Sequence, residues 1–416
     1  MSLQVKQTLA KNEKTIIILV YFYNHFKILI LKEKYDLIFC GGGLSTLIFL
    51  NKIISDNYFD DKSILVIEKD PNLIPKKTWS FWEKKDSHWN DFIIKSWDKI
   101  VFKTQNVSIE RNLTNMNYKM IKSESFYNHI YDKVKRQPNI RIKKGVVENI
   151  EDHNDFVVVK TINETFKAGK VLNSIPNDSY KTNLNFPVLL QHFVGWTIKT
   201  NKPVFDEDKA TLMDFSIDQK NETRFFYVLP TSKNEALVEF TLFSKELITN
   251  DEYESEIKKH LQSLGILDYE VKLKESGIIP MTCFPFDNAN TKNVVNIGTA
   301  GGWTKPSSGY TFRFVDKYSD KLIDFIKSER SFRKFKLRNR FWFYDLLFID
   351  VLYYKNHLGS ILFENMFKKN KFKSIFRFLD NESSFIEELK IISSFPKWIF
   401  IKSFFKNLPK IISNYL

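Results

Sequence analysis

The chain has 416 residues, 43% of them hydrophobic and 27% charged, a composition that excludes a disordered or fibrous chain and makes two domains the default. Two cysteines, Cys40 and Cys283, exclude a disulfide framework and imply a reducing compartment, and seven scattered histidines offer no metal-ligand spacing. The net charge of +14 has two readings, an anionic partner or a chain-wide drift towards Lys.

The first 33 residues form an extension containing the apolar run TIIILVYFYNHFKILIL at 15–31. It is shorter than a bilayer span of about 20 residues and has no small-residue cleavage site. Three readings stay open: an interfacial anchor, an extra packed element, or translated upstream sequence.

Residues 34–40 read as a short buried parallel strand. Gly41, Gly42, Gly43, Leu44 and Ser45 follow, then a helical pattern to 54 and a second strand at 63–68 that ends in Glu68. Strand, glycine turn, helix and a terminal acid make a βαβ unit for a dinucleotide. The helix N-terminus meets the pyrophosphate and the acid meets a ribose. Thr46 occupies the third glycine position, so the fingerprint is incomplete. A helix at 124–136 and strands at 140–147, 156–161 and 170–174 complete a first nucleotide-domain segment, 34–180.

Alternating patterns at 191–199, 210–215, 224–229 and 236–243 predict an antiparallel sheet, with a helix at 252–264. This sheet forms an inserted domain at 181–276. The nucleotide domain resumes at 277–330. There a strand at 293–297 leads to Gly298, Ala300, Gly301, Gly302, Lys305, Pro306 and Gly309, ahead of a helix at 308–328. Seven of the thirteen glycines sit in these two loops, in a chain with about half the usual glycine content. The clustering predicts one dinucleotide gripped from both ends of the chain, with Lys305 as a candidate for its charge. Residues 331–416 are helical in pattern and dense in Phe, Trp, Lys and Arg. They suit a membrane surface or an amphipathic layer over the core.

Three blocks are specific: Lys77-Thr78-Trp79-Ser80-Phe81-Trp82, Gln191-His192-Phe193-Val194-Gly195-Trp196, and the run from Gly298 through Lys305-Pro306-Ser307-Ser308-Gly309-Tyr310. In this order, together with Val238-Glu239-Phe240-Thr241, they resemble the flavin-dependent lycopene cyclases of the bacterial β-cyclase type, from residue 34 to the end. The resemblance implies a glutathione-reductase-type α/β fold: an FAD-binding Rossmann-like domain, an inserted antiparallel substrate sheet and a C-terminal helical region.

It also implies reduced FAD with NADPH as reductant, and a redox-neutral closure of the acyclic ends of lycopene to β-ionone rings. The substrate is dissolved in the membrane, so peripheral attachment at the cytoplasmic face is expected, with no nucleic acid and no metal. Glu239 matches the family's acid, while Phe240 replaces the second acid of that motif. Asp214 is the expected partner carboxylate. Trp79, Phe81, Trp82, His192, Phe193 and Trp196 are the expected pocket. A flavin monooxygenase, a prenyl-chain reductase and a degenerate carotenoid-binding flavoprotein are the rival readings.

Overall fold

The computed structural model describes residues 34–183 and 185–415, so the apolar run at 15–31 lies outside the described residues. Strand β1 (Lys34–Cys40), buried over its last four residues, runs into the first glycine turn and helix α1 (Leu44–Ile53). Strand β2 (Ile64–Glu68) pairs parallel to β1. Five strands follow: β3 (Thr78–Lys84), β4 (Ile93–Trp97), β5 (Lys99–Thr104), β6 (Ser108–Asn112) and β7 (Met116–Lys122). Helix α2 (Ser123–Lys135) returns the chain to β8 (Ile140–Lys144), β9 (Val147–Asp152), β10 (Val157–Thr161) and β11 (Thr165–Asn173).

A single turn, α3 (Ser179–Thr182), leads to β12 (Leu189–Lys199), β13 (Lys209–Phe215), β14 (Thr223–Pro230) and β15 (Glu235–Ser244). Helix α4 (Asn250–Ser263) and β16 (Glu270–Met281) complete this unit. Strand β17 (Val294–Asn296) precedes the second glycine loop and helix α5 (Phe312–Lys327). Five helices close the chain: α6 (Arg340–Tyr354), α7 (Gly359–Lys369), α8 (Phe372–Leu379), α9 (Phe385–Ser393) and α10 (Lys397–Tyr415).

The first sheet has the order β8-β2-β1-β11-β10-β9, with β17 beside the end of β11. Its parallel part carries both glycine loops at its carboxyl edge, where open α/β sheets bind ligands. The second sheet, β16-β12-β15-β14-β13-β5-β6, has one face against α4 and the other towards the C-terminal helices.

Residues 78–122 do not share the nucleotide sheet, contrary to the boundary at 180. Strand β5 pairs parallel with β13, because Ile100 and Phe102 join the buried cluster of Leu212, Met213 and Phe215. Strands β3, β7 and β4 form a separate three-stranded sheet. Strand β16 also carries the substrate sheet past residue 276 to Met281. Phe102 stacks on Phe367 of α7, with ring centroids 4.3 Å apart, so part of the C-terminal region is a packed layer over the second sheet.

Candidate functional site

The two glycine loops meet. Gly41 has φ +93°, the Gly42 N–H donates to Glu68 Oε2 at 2.5 Å, and the Thr46 hydroxyl donates to the Gly41 carbonyl at 2.6 Å. Thr46 thus ties the turn from the position of the missing third glycine. Helix α1 begins without a side-chain cap or an acid in its first turn, leaving the positive end of its dipole open, and the space beside Gly43 is empty. Gly298 (φ +59°) approaches so closely that a Cβ there would sit 2.5 Å from Ser45 Oγ. The turn Gly298–Gly301, with Ala300 buried and Gly302 in the left-handed region, also has no side-chain cap. These residues fit the diphosphate and ribose of a dinucleotide: uncapped helix-start N–H groups, open space beside Gly43 and an acid, Glu68, at the end of β2.

The groove ends in a cavity of about 360 Å³ whose wall includes Leu44, Thr299, Trp79, Phe193, Tyr310 and Glu239. Its floor is the second sheet. Along β15, Val238 and Phe240 point to the α4 side, while Leu237, Glu239 and Thr241 point the other way. Cross-strand pairing sets Tyr227, Glu239, Gly195 and Glu275 in one row over four strands. Gly195 leaves the two glutamates facing each other with no side chain between them.

Glu239 Oε1 accepts from the Thr241 hydroxyl at 2.9 Å. Burial, and secondarily the charge of Glu275, push the Glu239 carboxyl up to about 8, against the smaller lowering effect of Thr241. Glu275 is buried and also raised, chiefly by desolvation. It accepts from the Thr78 N–H at 3.2 Å and the Thr78 hydroxyl at 2.6 Å. The phenols of Tyr118, Tyr227 and Tyr310 are electrostatic neighbours of Glu239, and burial raises all three, Tyr310 to about 12. The site therefore presents a protonated carboxyl at neutral pH in a cavity lined by aromatic, aliphatic and polar side chains.

Several expected residues stand elsewhere. Asp214 pairs across the sheet with Phe226, and Phe226 with Phe240, so it belongs to the row on the α4 side. Its carboxylate accepts from the Ser216 N–H at 2.9 Å and cannot partner Glu239. His192 and Trp196 face α4 as well. His192 bonds Ser244 Oγ at 2.6 Å and the Tyr253 hydroxyl, and burial lowers it to about 4. Trp196 is in the core behind the sheet, with the Lys274 ammonium 4.9 Å from its ring.

Phe81 and Trp82 sit one layer behind the cavity wall. Phe81 stacks on Phe312 at 4.4 Å, and Trp82 stacks on Phe376 at 4.4 Å while donating to Asp380 at 2.9 Å. Lys305 does not reach the nucleotide groove. Its ammonium lies 2.9 Å from Asp345 and 2.6 Å from Asn381 Oδ1, fully buried, and Pro306 lines the same small crevice. Gly309 (φ +70°) does line the cavity, against Gln191.

A family model described as lycopene cyclase protein matches residues 36–403. The chain belongs to the lycopene cyclase family. It is 24% identical over 321 residues to a lycopene beta-cyclase of Pantoea ananas, covering 70% of this chain and 75% of that protein. It is 28% identical over 137 residues to a lycopene beta-cyclase of a Paracoccus species, covering 31% and 34%.

Solved structures share the fold of this lycopene cyclase family member. A geranylgeranyl bacteriochlorophyll reductase-like protein from Thermoplasma acidophilum superposes with a TM-score of 0.54 at 12% identity, covering 92% of this chain and 98% of that one. The flavin-dependent brominase Bmp2 gives 0.55 at 11% identity, covering 91% and 100%. The halogenase PltM, in complex with phloroglucinol and FAD, gives 0.56 at 12% identity, covering 83% and 82%.

In this family member Phe240 lies on the far side of the sheet from Glu239, stacked on Phe226 at 4.9 Å. A carboxylate at 240 would be buried among rings on that face, and the carboxylate beside Glu239 is Glu275 of β16. Glu275, Tyr118, Tyr227 and Thr78 were missed as site residues. Thr78 stood inside the first specific block and Tyr227 in the alternating run at 224–229, and only strand parity singles them out. Glu275 lies at the end of the expected insert, one residue before its boundary at 276, and carries no local signal.

Proposed function

We propose that this protein is a lycopene β-cyclase that uses reduced FAD, with NADPH as reductant, at the cytoplasmic surface of a membrane. The observation that carries the reading is Glu239, a carboxyl held near pKa 8 in an aromatic cavity at the end of the two-loop groove. Support for FAD comes from the fit of Gly41–Ser45, Glu68 and Gly298–Gly302 to a dinucleotide, and from flavoproteins that share the fold.

The Glu239 carboxyl transfers its proton to the terminal double bond of the acyclic end, forming a C–H bond and a tertiary cation. The neighbouring double bond attacks that cation and closes the ring. Loss of a ring proton to the Glu239 carboxylate restores the acid, so atoms and electrons balance without net oxidation. When bound, the reduced flavin supplies negative charge beside the cation. Trp79 and Phe193 line the cavity and would stabilise the cation through their rings.

The test is incubation of holoprotein with lycopene in vesicles, in one arm under chemically reduced flavin and in a second with NADPH in air. Formation of γ- and β-carotene with no NADPH or oxygen consumed per ring is expected. Consumption of either in step with product would identify a prenyl-chain reductase or a monooxygenase instead.

A further inference from the structure

A second and larger cavity, about 610 Å³, lies among the C-terminal helices. Folded interiors tolerate few apolar spaces bigger than a water molecule, so an apolar chamber of this size with an open mouth suits a hydrocarbon occupant. Its inner wall is built by Leu347, Phe348, Phe363, Met366 and Phe378. The one carboxylate on that wall, Asp345, is neutralised by Lys305.

Both ends of the chamber point to a use. At the outer end the walls are Leu389 and Ile392 of α9 and Ile401 and Phe405 of α10, all of them exposed to solvent. They belong to an exposed apolar patch that continues through Phe385, Ile386 and Trp398, with Lys390, Lys397 and Lys402 exposed around it. At the inner end the wall includes Ser307, and the next three residues, Ser308, Gly309 and Tyr310, line the Glu239 cavity. One loop therefore partitions a wide apolar chamber from the reacting carboxyl.

The helices are held apart by polar pins rather than by closure of the gap. Arg340 grips the buried Glu388 of α9 at 2.7 Å, and Asp350 binds Ser403 at 2.9 Å and Lys406 at 2.8 Å on α10. These ties fix α9 and α10 on α6 and leave the space between them open.

We propose that this chamber is a binding site for a linear polyene chain, which enters through the α9–α10 mouth and is held there one loop away from the Glu239 cavity. The inference rests on the cyclase reading for the identity of the chain. The chamber takes an extended hydrocarbon because its lining is mainly aliphatic and aromatic, with Asp345 paired to Lys305 and Lys397 exposed to solvent.

The probe is diphenylhexatriene, dark in water and fluorescent in an apolar site, titrated into the holoprotein without detergent. Leu389→Cys places a thiol at the mouth, and Cys40 and Cys283 are buried, so a bulky maleimide added after folding reacts there. Unlabelled Leu389→Cys is expected to bind the dye saturably and lycopene to displace it. Labelling is expected to weaken dye binding at least tenfold, with flavin content unchanged.

Equal dye binding by labelled and unlabelled protein overturns the proposal. So does displacement by phosphatidylcholine but not by lycopene, which would make the chamber a lipid site. Met366→Trp, which fills the chamber from within, is expected to repeat the loss. If lycopene displaces the dye yet no ring forms under reduced flavin, the cyclase reading fails and the chamber stands. If labelled protein cyclises lycopene at an unchanged rate, the chamber fails and the reading stands.

Discussion

Glu239 and Glu275 face each other across Gly195, on adjacent positions of three neighbouring strands. A methyl carbon at Gly195 would lie 3.3 Å from Glu275 Cγ, 3.4 Å from Glu239 Cβ and 3.0 Å from Leu237 Cδ1. Gly195→Ala is therefore expected to cost about 1–3 kcal/mol by overpacking. It should also lower turnover more than it lowers flavin content, because it displaces the acid and not the nucleotide groove. Urea unfolding and flavin absorbance on the same samples separate the two effects.

In the proposed reaction Glu239 supplies the proton, so Glu239→Gln should reduce cyclisation by about 10²–10⁴-fold while bound flavin is unchanged. In the parent protein, activity should fall as pH rises through about 8, where the carboxyl ionises. Glu275 contributes part of that elevation. Glu275→Gln is expected to move the alkaline limb to lower pH, yet leave it above the ordinary carboxylate range, since burial is the larger cause. A pH–rate profile that does not move would remove Glu275 from the site's electrostatics.

The same ionisation links stability to pH. An unfolded glutamate loses its proton near pH 4.3, whereas Glu239 in the folded protein holds it to about 8. Between these values the folded state binds more protons than the unfolded state, so this residue's contribution falls as pH rises and is gone above 8. The slope is at most about 1.4 kcal/mol per pH unit. The melting temperature of Glu239→Gln relative to the parent should rise steadily from pH 5 to pH 8.5. A constant difference would mean that the carboxyl is ionised throughout.

The βαβ unit, the antiparallel sheet and the helical C-terminus were legible because each rests on local pattern: buried strand then glycine, alternation, and helical spacing. The site was legible only by block, not by residue. In Gln191 to Trp196 the odd positions Gln191, Phe193 and Gly195 face the cavity row and the even positions His192 and Trp196 face α4. That parity follows from a period of two, but which parity faces the chemistry depends on which layers cover the sheet. Asp214 shows the same limit, since its register against Phe226 decides its face. Glu275 was illegible because its role comes from pairing with β12, which has no trace in its own neighbours.

Lys305 was read as a partner for cofactor charge, and its burial against Asp345 gives a test of the structural alternative. Lys305→Met leaves Asp345 buried and unpaired, which should cost about 3–5 kcal/mol. Lys305→Met combined with Asp345→Leu removes both charges and should recover most of that loss. Flavin content in the double variant decides the matter: retention is expected, and loss would return Lys305 to the nucleotide groove.

Helices α9 and α10 leave Phe385, Ile386, Trp398 and Phe405 more than 60% exposed, a patch too apolar to face water without a role. No helix among the described residues is long and apolar enough to cross a membrane, so attachment through this patch would be interfacial. Rings entering the acyl boundary contribute through area, and Lys390, Lys397 and Lys402 through anionic headgroups at about 1 kcal/mol each. Trp398→Asp with Phe405→Asp should therefore reduce co-sedimentation with anionic vesicles at least tenfold. Raised salt should weaken binding of the parent without abolishing it, because the ring contribution is not screened. Both aspartates sit on the outside, so melting temperature and flavin content should hold. Undiminished sedimentation of the double variant would move the membrane contact away from α9 and α10.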